Sequence, residues 1–271
     1  MKKFVIETEK LVHNVQTICD RAGVPVIAVL KADGYGFGML QMARILADNG
    51  ITMFAVTEPE DALTLRESGF TSQLILVMRS TAMQDEADLV IRANATATIG
   101  SPEAAAALSA AAQRRGAVAK AHVKIDTGMG RYGFLPSQYD YVRTAYTRLP
   151  NVTVTGIYTH FHSSFADGEA THRQCEQLLE ITKRLESEGI EPGLRHAANS
   201  SGLFNYDDLT LDAVRIGSAF TGRIHTKQPS GLHRLGYLES RVIEIREVPA
   251  KHSVGYGAGY ITKRPTKIAV V

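Results

Sequence analysis

The chain has 271 residues, 44% of them hydrophobic and 21% charged, with 23 glycines, two cysteines and no tryptophan. That length fits about two domains or one large α/β barrel, and the apolar content excludes wholesale disorder. Thirty basic against 28 acidic residues leave a charge of +2, which excludes strong electrostatic attraction to nucleic acid or an anionic membrane.

The chain opens with MKKFVIETEK, where Glu7 and Glu9 interrupt any secretory signal, and no later apolar run reaches the ~18 residues of a membrane span. Two cysteines cannot build a disulfide framework, so a reducing, cytoplasmic setting is expected. Short apolar runs then alternate with helical stretches. Residues 24–30 (VPVIAVL) form a strand, followed by a Gly-rich turn and a helix over 39–47. A strand at 53–56 precedes a helix over 60–68, and a strand at 74–78 precedes helical 83–92. The strand at 95–99 leads into a helix over 101–115, where Ser101 is the N-cap, Pro102 opens the first turn and Gly116 ends it. Strands at 121–125 and 152–158 precede helices over 137–148 and 168–188. Residues 193–197 and 212–216 complete eight strands. Apolar strands without alternation are buried on both faces, so eight strand–helix repeats point to a (β/α)8 barrel over 1–235. A doubly wound sheet is the alternative, but no strand runs into GxGxxG. From residue 236 the pattern becomes partly alternating and β-branched, the opening of a mainly-β domain over 236–271.

In such a barrel the working residues sit where strands run into the following loops. The first strand ends at Lys31 in LKADGYGFG. Partial desolvation lowers an amine's pKa and suits it to bond with an aldehyde, although a lysine at a strand end also simply snorkels. The fifth strand delivers Lys124, Asp126 and Arg131 in KIDTGMGRYGF, where Arg131 can present a planar fork to a carboxylate. The sixth ends in Tyr158, His160 and His162. Histidines two apart share a strand face, so this pair also fits a metal, with Asp126 and His196 as further ligands of a metal-dependent hydrolase. The seventh gives Asn199, Ser200 and Ser201, and the eighth Arg215, Gly217 and Ser218. Hydroxyls and a glycine turn after strands seven and eight match the usual phosphate position of these barrels. Asn199–Ser201 also suits a helix cap. A phosphate site beside an aldehyde-binding lysine suggests pyridoxal 5′-phosphate.

Taken in order, LKADGYGFG, KIDTGMGRYGF, YTHFHSS, RHAANSSG, DAVRIGS and VGYGAGY resemble the motifs of the alanine racemase family, pyridoxal-phosphate enzymes built on a (β/α)8 barrel. The resemblance implies a racemase for a small amino acid, alanine first, supplying D-alanine for a bacterial cell wall. Lys31 matches the lysine that bonds to the cofactor and serves as one catalytic base. Tyr35, Ser200, Gly217 and Ser218 match positions that hold the phosphate, Arg215 the arginine facing the pyridine nitrogen, and Arg131 a substrate-binding arginine. Lys124 matches a lysine that some members carbamylate. His160 matches the histidine linking that pyridine-side arginine to the second base, which matches Tyr256 and comes from the other subunit of a homodimer. Two bases make sense chemically, because racemisation removes the α-proton from one face and returns a proton to the other. Asp33, Phe37, His162 and the run 218–223 (SAFTGR) depart from the family pattern, which leaves serine, lysine and ornithine open as substrates. The family continues past KIAVV through a full β domain, so the chain is expected to be a truncated form. A barrel that holds pyridoxal 5′-phosphate without racemising anything is the remaining alternative.

Overall fold

The computed structural model describes residues 2–271, which divide into a smaller unit (residues 2–7 and 235–271) and a larger one (residues 8–234).

The smaller unit consists of three antiparallel pairs. Strand β1 (Lys3–Ile6) pairs with β10 (Gly236–Glu239), β11 (Glu244–Val248) with β14 (Thr266–Val270), and the two-residue β12 (Ser253–Val254) with β13 (Tyr260–Ile261). Thr262 is 1% exposed and locks the turn before β12, donating to the Pro249 carbonyl at 2.7 Å and accepting from the His252 N–H at 2.9 Å.

The larger unit opens with helix α1 (Thr8–Ala22), whose buried Leu11, Val15, Ile18 and Ala22 recur at helical spacing. Asn14 on the same face is fully buried because its side chain is satisfied: the amide donates to the carbonyls of Phe220 (2.9 Å) and His233 (2.7 Å), and its oxygen accepts from the His233 N–H (2.7 Å). Eight parallel strands follow: β2 (Val26–Val29), β3 (Met53–Val56), β4 (Leu74–Ser80), β5 (Thr96–Ile99), β6 (Ala119–Lys124), β7 (Val152–Tyr158), β8 (Leu194–His196) and β9 (Val214–Ile216). Each pairs with the next from β2 to β8, and β9 pairs with β2. A parallel bridge between His196 and Ala213 joins β8 to the start of β9 and closes the ring. Asp212 reinforces that seam, taking the backbone N–H of Arg195 at 2.8 Å and its guanidinium at 2.8 and 2.9 Å. The fold is therefore the (β/α)8 barrel, not the doubly wound sheet.

The connecting segments are α2 (Lys31–Gly36), α3 (Met39–Asp48), α4 (Pro59–Glu67), α5 (Gln84–Arg92), α6 (Pro102–Arg114), α7 (Tyr139–Thr147), α8 (Gly168–Ser187) and α9 (Ser200–Asn205). As expected from its sequence, α6 is capped by the Ser101 side chain, which accepts from the Ala104 N–H at 3.1 Å. The lining of the barrel is two-sided. Ile27, Val29, Ala55, Leu76 and Ala213 form an apolar cluster. Facing them, β6 to β9 contribute the buried His122, Lys124, Tyr158, His196 and Arg215. Burying five polar side chains together requires that they satisfy one another, and that requirement builds the site.

Candidate active site

The strand exits surround a cavity of about 400 Å³. Lys31, Tyr35, Arg131, His160, Asn199, Ser200, Arg215, Gly217 and Ser218 all line it, so the structure brings together every barrel residue singled out from the sequence as a cofactor or substrate contact. Tyr256 belongs to the smaller unit, in the short turn between β12 and β13, and its side chain is fully exposed.

Lys31 reaches the cavity because the chain leaves β2 through a left-handed turn. Ala32, Asp33, Gly34 and Tyr35 all have φ between 50 and 60°. Three of these four carry a side chain, a conformation that costs roughly 1–2 kcal/mol per residue and concentrates at functional positions. The turn is pinned by Asp33, whose carboxylate accepts the Met39 N–H at 2.7 Å. It places the Lys31 ammonium 5.9 Å from the centre of the Tyr35 ring. Partial burial, reinforced by the charge of Arg131, holds the Lys31 pKa below its ordinary value. Burial pushes the Tyr35 phenol up to about 12, so it stays a hydrogen-bond donor at neutral pH. Its hydroxyl packs on Gly217, where any Cβ would collide with it.

Arg215 is 3% exposed, and no carboxylate is among its hydrogen-bond partners. It donates to the Thr159 carbonyl (2.8 Å), the His196 carbonyl (3.1 Å), His196 Nδ1 (2.8 Å) and His160 Nδ1 (3.2 Å), and lies 4.8 Å from the Tyr158 ring centre. A guanidinium only donates, so both Nδ1 atoms are acceptors and both rings carry their proton on Nε2. His196 Nε2 then donates to His122 Nδ1 at 2.9 Å, which places the His122 proton on Nε2, a buried atom without a partner among the described residues. All three rings are neutral. Burial, followed by the charge of Arg215, lowers His122 to about 4 and His160 to about 3, and drives His196 well below the ordinary histidine range. Burial also brings Arg215 down to about 10, which leaves it a cation at neutral pH.

The loop after β6 is wound around Asp126, whose carboxylate accepts the backbone N–H groups of Gly128, Met129, Gly130 and Arg131 at 2.8–3.2 Å. Gly133 turns back beneath it at φ 125°, where a Cβ would strike the backbone of Ile125 and Asp126. Arg131 is thereby held with its guanidinium 4.8 Å from the Tyr132 ring centre. Asp126 is spent on this loop and His196 on Arg215 and His122, so the metal-hydrolase ligand set is not assembled. Among the described residues no group of three or more His, Cys, Asp or Glu is placed to hold a metal.

Asn199 caps α9, accepting from the Gly202 N–H at 2.9 Å and from the Ser164 hydroxyl at 2.7 Å while its amide donates to the Phe161 carbonyl at 3.4 Å. Its polar atoms are thus occupied by the protein. Ser200 Oγ accepts the N–H groups of Gly217 (3.2 Å) and Ala219 (3.3 Å), which leaves its own proton to donate. His122, Thr57, Met78 and Tyr132 belong to or support the site without having been singled out. His122 had a signal, since it precedes Lys124 by two residues in AHVKI and so shares its strand face.

Lys124 is 1% exposed and donates to the Tyr132 carbonyl at 2.6 Å. Burial lowers its pKa to about 8, with Asp126 opposing and Arg215 and Arg131 adding to the effect. An unfolded lysine titrates near 10.4. Between the two values the unfolded chain binds the extra proton, so stability rises with pH across about 8 to 10. Urea unfolding should show this rise, with Lys124 contributing on the order of 3 kcal/mol and Lys31 a smaller amount of the same sign. Lys124→Met should flatten the curve; an unchanged slope would count against a depressed Lys124.

Comparison with known proteins follows this geometry. The family described as alanine racemase, N-terminal domain, matches residues 6–225, and that described as alanine racemase, C-terminal domain, matches residues 236–271. An alanine racemase of Clostridium acetobutylicum is 32% identical over 250 residues, covering 90% of this chain and 63% of that protein. One of Methylacidiphilum infernorum is 34% identical over 249 residues, covering 91% and 62%. The chain therefore spans slightly less than two thirds of these relatives. The solved alanine racemase of Streptomyces coelicolor A3(2) superposes with a TM-score of 0.90 at 28% identity, covering 99% of this chain and 73% of that one.

Proposed function

The chain belongs to the alanine racemase family, and from that premise we propose that it racemises a small amino acid, alanine first, with pyridoxal 5′-phosphate held in the barrel cavity. One observation carries the reading: four basic side chains (Lys31, Lys124, Arg131 and Arg215) line the cavity, and among the described residues no acidic one does. Such a surface calls for an anionic ligand, and a phosphate together with an amino-acid carboxylate supplies two anions.

The residues present fit that cofactor. Tyr35, Ser200 and Ser218 offer hydroxyl donors around Gly217, whose missing side chain lets the Tyr35 hydroxyl close in on the backbone there. Bound there, pyridoxal 5′-phosphate would withdraw electrons from the substrate's Cα and acidify its proton. Lys31, its amine partly desolvated, would hold the cofactor through its aldehyde and would carry the proton on one face of the substrate. Arg215, which stays a cation and keeps its protons, would hold the pyridine side of the cofactor as a donor, moderating the electron withdrawal and favouring simple proton return. Arg131 holds the substrate carboxylate. His160 offers Nε2–H toward the second base, Tyr256, from the partner copy of a homodimer, and Asn199 shapes the loop that carries Ser200. The activity makes D-alanine in the cytoplasm for cell-wall synthesis.

The test is a visible spectrum of the protein with pyridoxal 5′-phosphate and a chiral assay of alanine, serine, lysine and ornithine. Cofactor absorbance with interconversion of alanine fastest is the expected result. Preference for another amino acid would revise the substrate, and binding without interconversion of any of them would leave a cofactor-holding barrel instead.

A further inference from the structure

Gln174 lies in the middle of α8 with 3% of its surface exposed, a polar side chain within a buried stripe that includes Thr171, Leu178 and Leu185. Its amide is fully engaged by two strand exits. Nε2 donates to the His160 carbonyl at 3.2 Å and to Thr127 Oγ1 at 3.2 Å, and Oε1 accepts the His162 N–H at 3.1 Å. A backbone N–H only donates and a carbonyl only accepts, so the amide can be oriented in one way only. Thr127 in turn shares a 2.6 Å hydrogen bond with Thr159, whose carbonyl receives Arg215 at 2.8 Å. One side chain thus ties α8 to the end of β7, which carries His160, and to the Asp126 loop, which carries Arg131. An apolar residue of the same size would fill the space but would leave the half-buried His160 carbonyl and His162 N–H without this partner.

We infer that Gln174 is a positioning residue: it sets the spacing between His160 and the Arg131 loop, and it does so through backbone atoms without touching the ligand. This rests on the racemase reading of the cavity. The role needs a donor for the His160 carbonyl and an acceptor for the His162 N–H on a single planar group, which glutamine supplies and an ionised carboxylate does not. A glutamate at 174 still accepts from the His162 N–H, and Thr127 can turn its hydroxyl to donate to it, but its second oxygen faces the His160 carbonyl with lone pairs. Once protonated, it regains a donor. Burial raises the pKa of such a carboxyl, and nearby Asp126 acts in the same direction. Arg215, behind Thr159, opposes them; His160, held neutral by burial, and the His162 ring are the other titratable groups beside residue 174.

The experiment compares the wild type with Gln174→Glu and Gln174→Leu in the pyridoxal-loaded protein. Both variants are expected to lose on the order of 10- to 100-fold in kcat at pH 8, as a small misplacement of reacting groups does. Gln174→Glu should recover toward wild type as the pH falls, whereas Gln174→Leu should stay low throughout. Hydrogen exchange supplies a readout that needs no activity. Amides at 126–133 and 158–164 should exchange faster in both variants at pH 8 and regain protection on the acid side in Gln174→Glu alone. An active wild type whose Gln174→Glu variant follows Gln174→Leu, or follows the wild type, at every pH would overturn the inference and leave the racemase reading standing. A wild type that neither binds pyridoxal 5′-phosphate nor racemises would overturn both.

Discussion

Replacing Lys31 by alanine is expected to abolish covalent capture of pyridoxal 5′-phosphate and to lower racemisation by at least about 10³-fold. The expectation follows from how the side chain is delivered. Four buried residues of β2 end one position before Leu30, and the left-handed turn from Ala32 to Tyr35 then carries the chain round beneath the ammonium. The amine sits among Tyr35, Arg131 and the cavity wall, where burial and a neighbouring cation both favour its neutral, nucleophilic form. Truncating the side chain removes that nucleophile but leaves the phosphate-holding hydroxyls and Arg215 in place. Lys31→Ala should therefore still bind pyridoxal 5′-phosphate reversibly, with a spectrum resembling the free cofactor. Borohydride reduction followed by mass spectrometry should mark Lys31 in the wild type and nothing in the variant. Wild-type labelling at another lysine, or undiminished turnover in Lys31→Ala, would remove Lys31 from its role.

The architecture was legible because parallel strands buried on both faces announce themselves as apolar runs. VPVIAVL and LILVM could hardly be placed elsewhere, and the Ser101–Pro102–Glu103 start of α6 carries its cap in the sequence. Polar strand ends were equally readable, since a lysine or arginine that directly follows such a run must lie at a barrel rim or find partners inside. Arg215 does both. Less was visible where partners are distant in sequence. A glycine-rich turn was readable at 32–38, but not that Ala32 and Tyr35 would join Asp33 and Gly34 in the left-handed region, for which they have little preference; tertiary packing imposes it. Nor does a glutamine inside a helix advertise that its amide spans two strand exits. Helix α1 is periodic in the sequence, with Leu11, Val15, Ile18 and Ala22 at helical spacing, but it precedes the first apolar run and so stands outside the strand–helix alternation. The strand β1 pairs with β10, at least 230 residues away in sequence, and belongs to the smaller unit.

Tyr256→Phe should cost racemisation roughly 10²- to 10⁴-fold while leaving stability and cofactor binding as they are. The side chain is fully exposed on a glycine-bracketed turn, with Gly255 at φ 78° and Gly257 at φ 65°, so removing one oxygen disturbs no packing and no buried hydrogen bond. Loss of activity with unchanged unfolding would therefore report on chemistry alone. The proposed pair of bases makes a sharper demand than a drop in rate. If Lys31 serves one face of the substrate and Tyr256 the other, the variant keeps one half of the reaction. Incubated in D2O, one enantiomer of alanine should continue to exchange its α-proton at the Lys31 face, while its mirror image exchanges slowly and neither converts into the other. Proton NMR of the α-position, read beside a chiral assay, separates the two. A single-base enzyme cannot produce that asymmetry, because the same group removes the proton from both enantiomers and its exchange rates fall together. Equal exchange of both enantiomers in Tyr256→Phe, or racemisation at the wild-type rate, would end the case for Tyr256. Exchange of one alone would establish that the proton on each face has its own carrier, with Lys31 serving the face that remains.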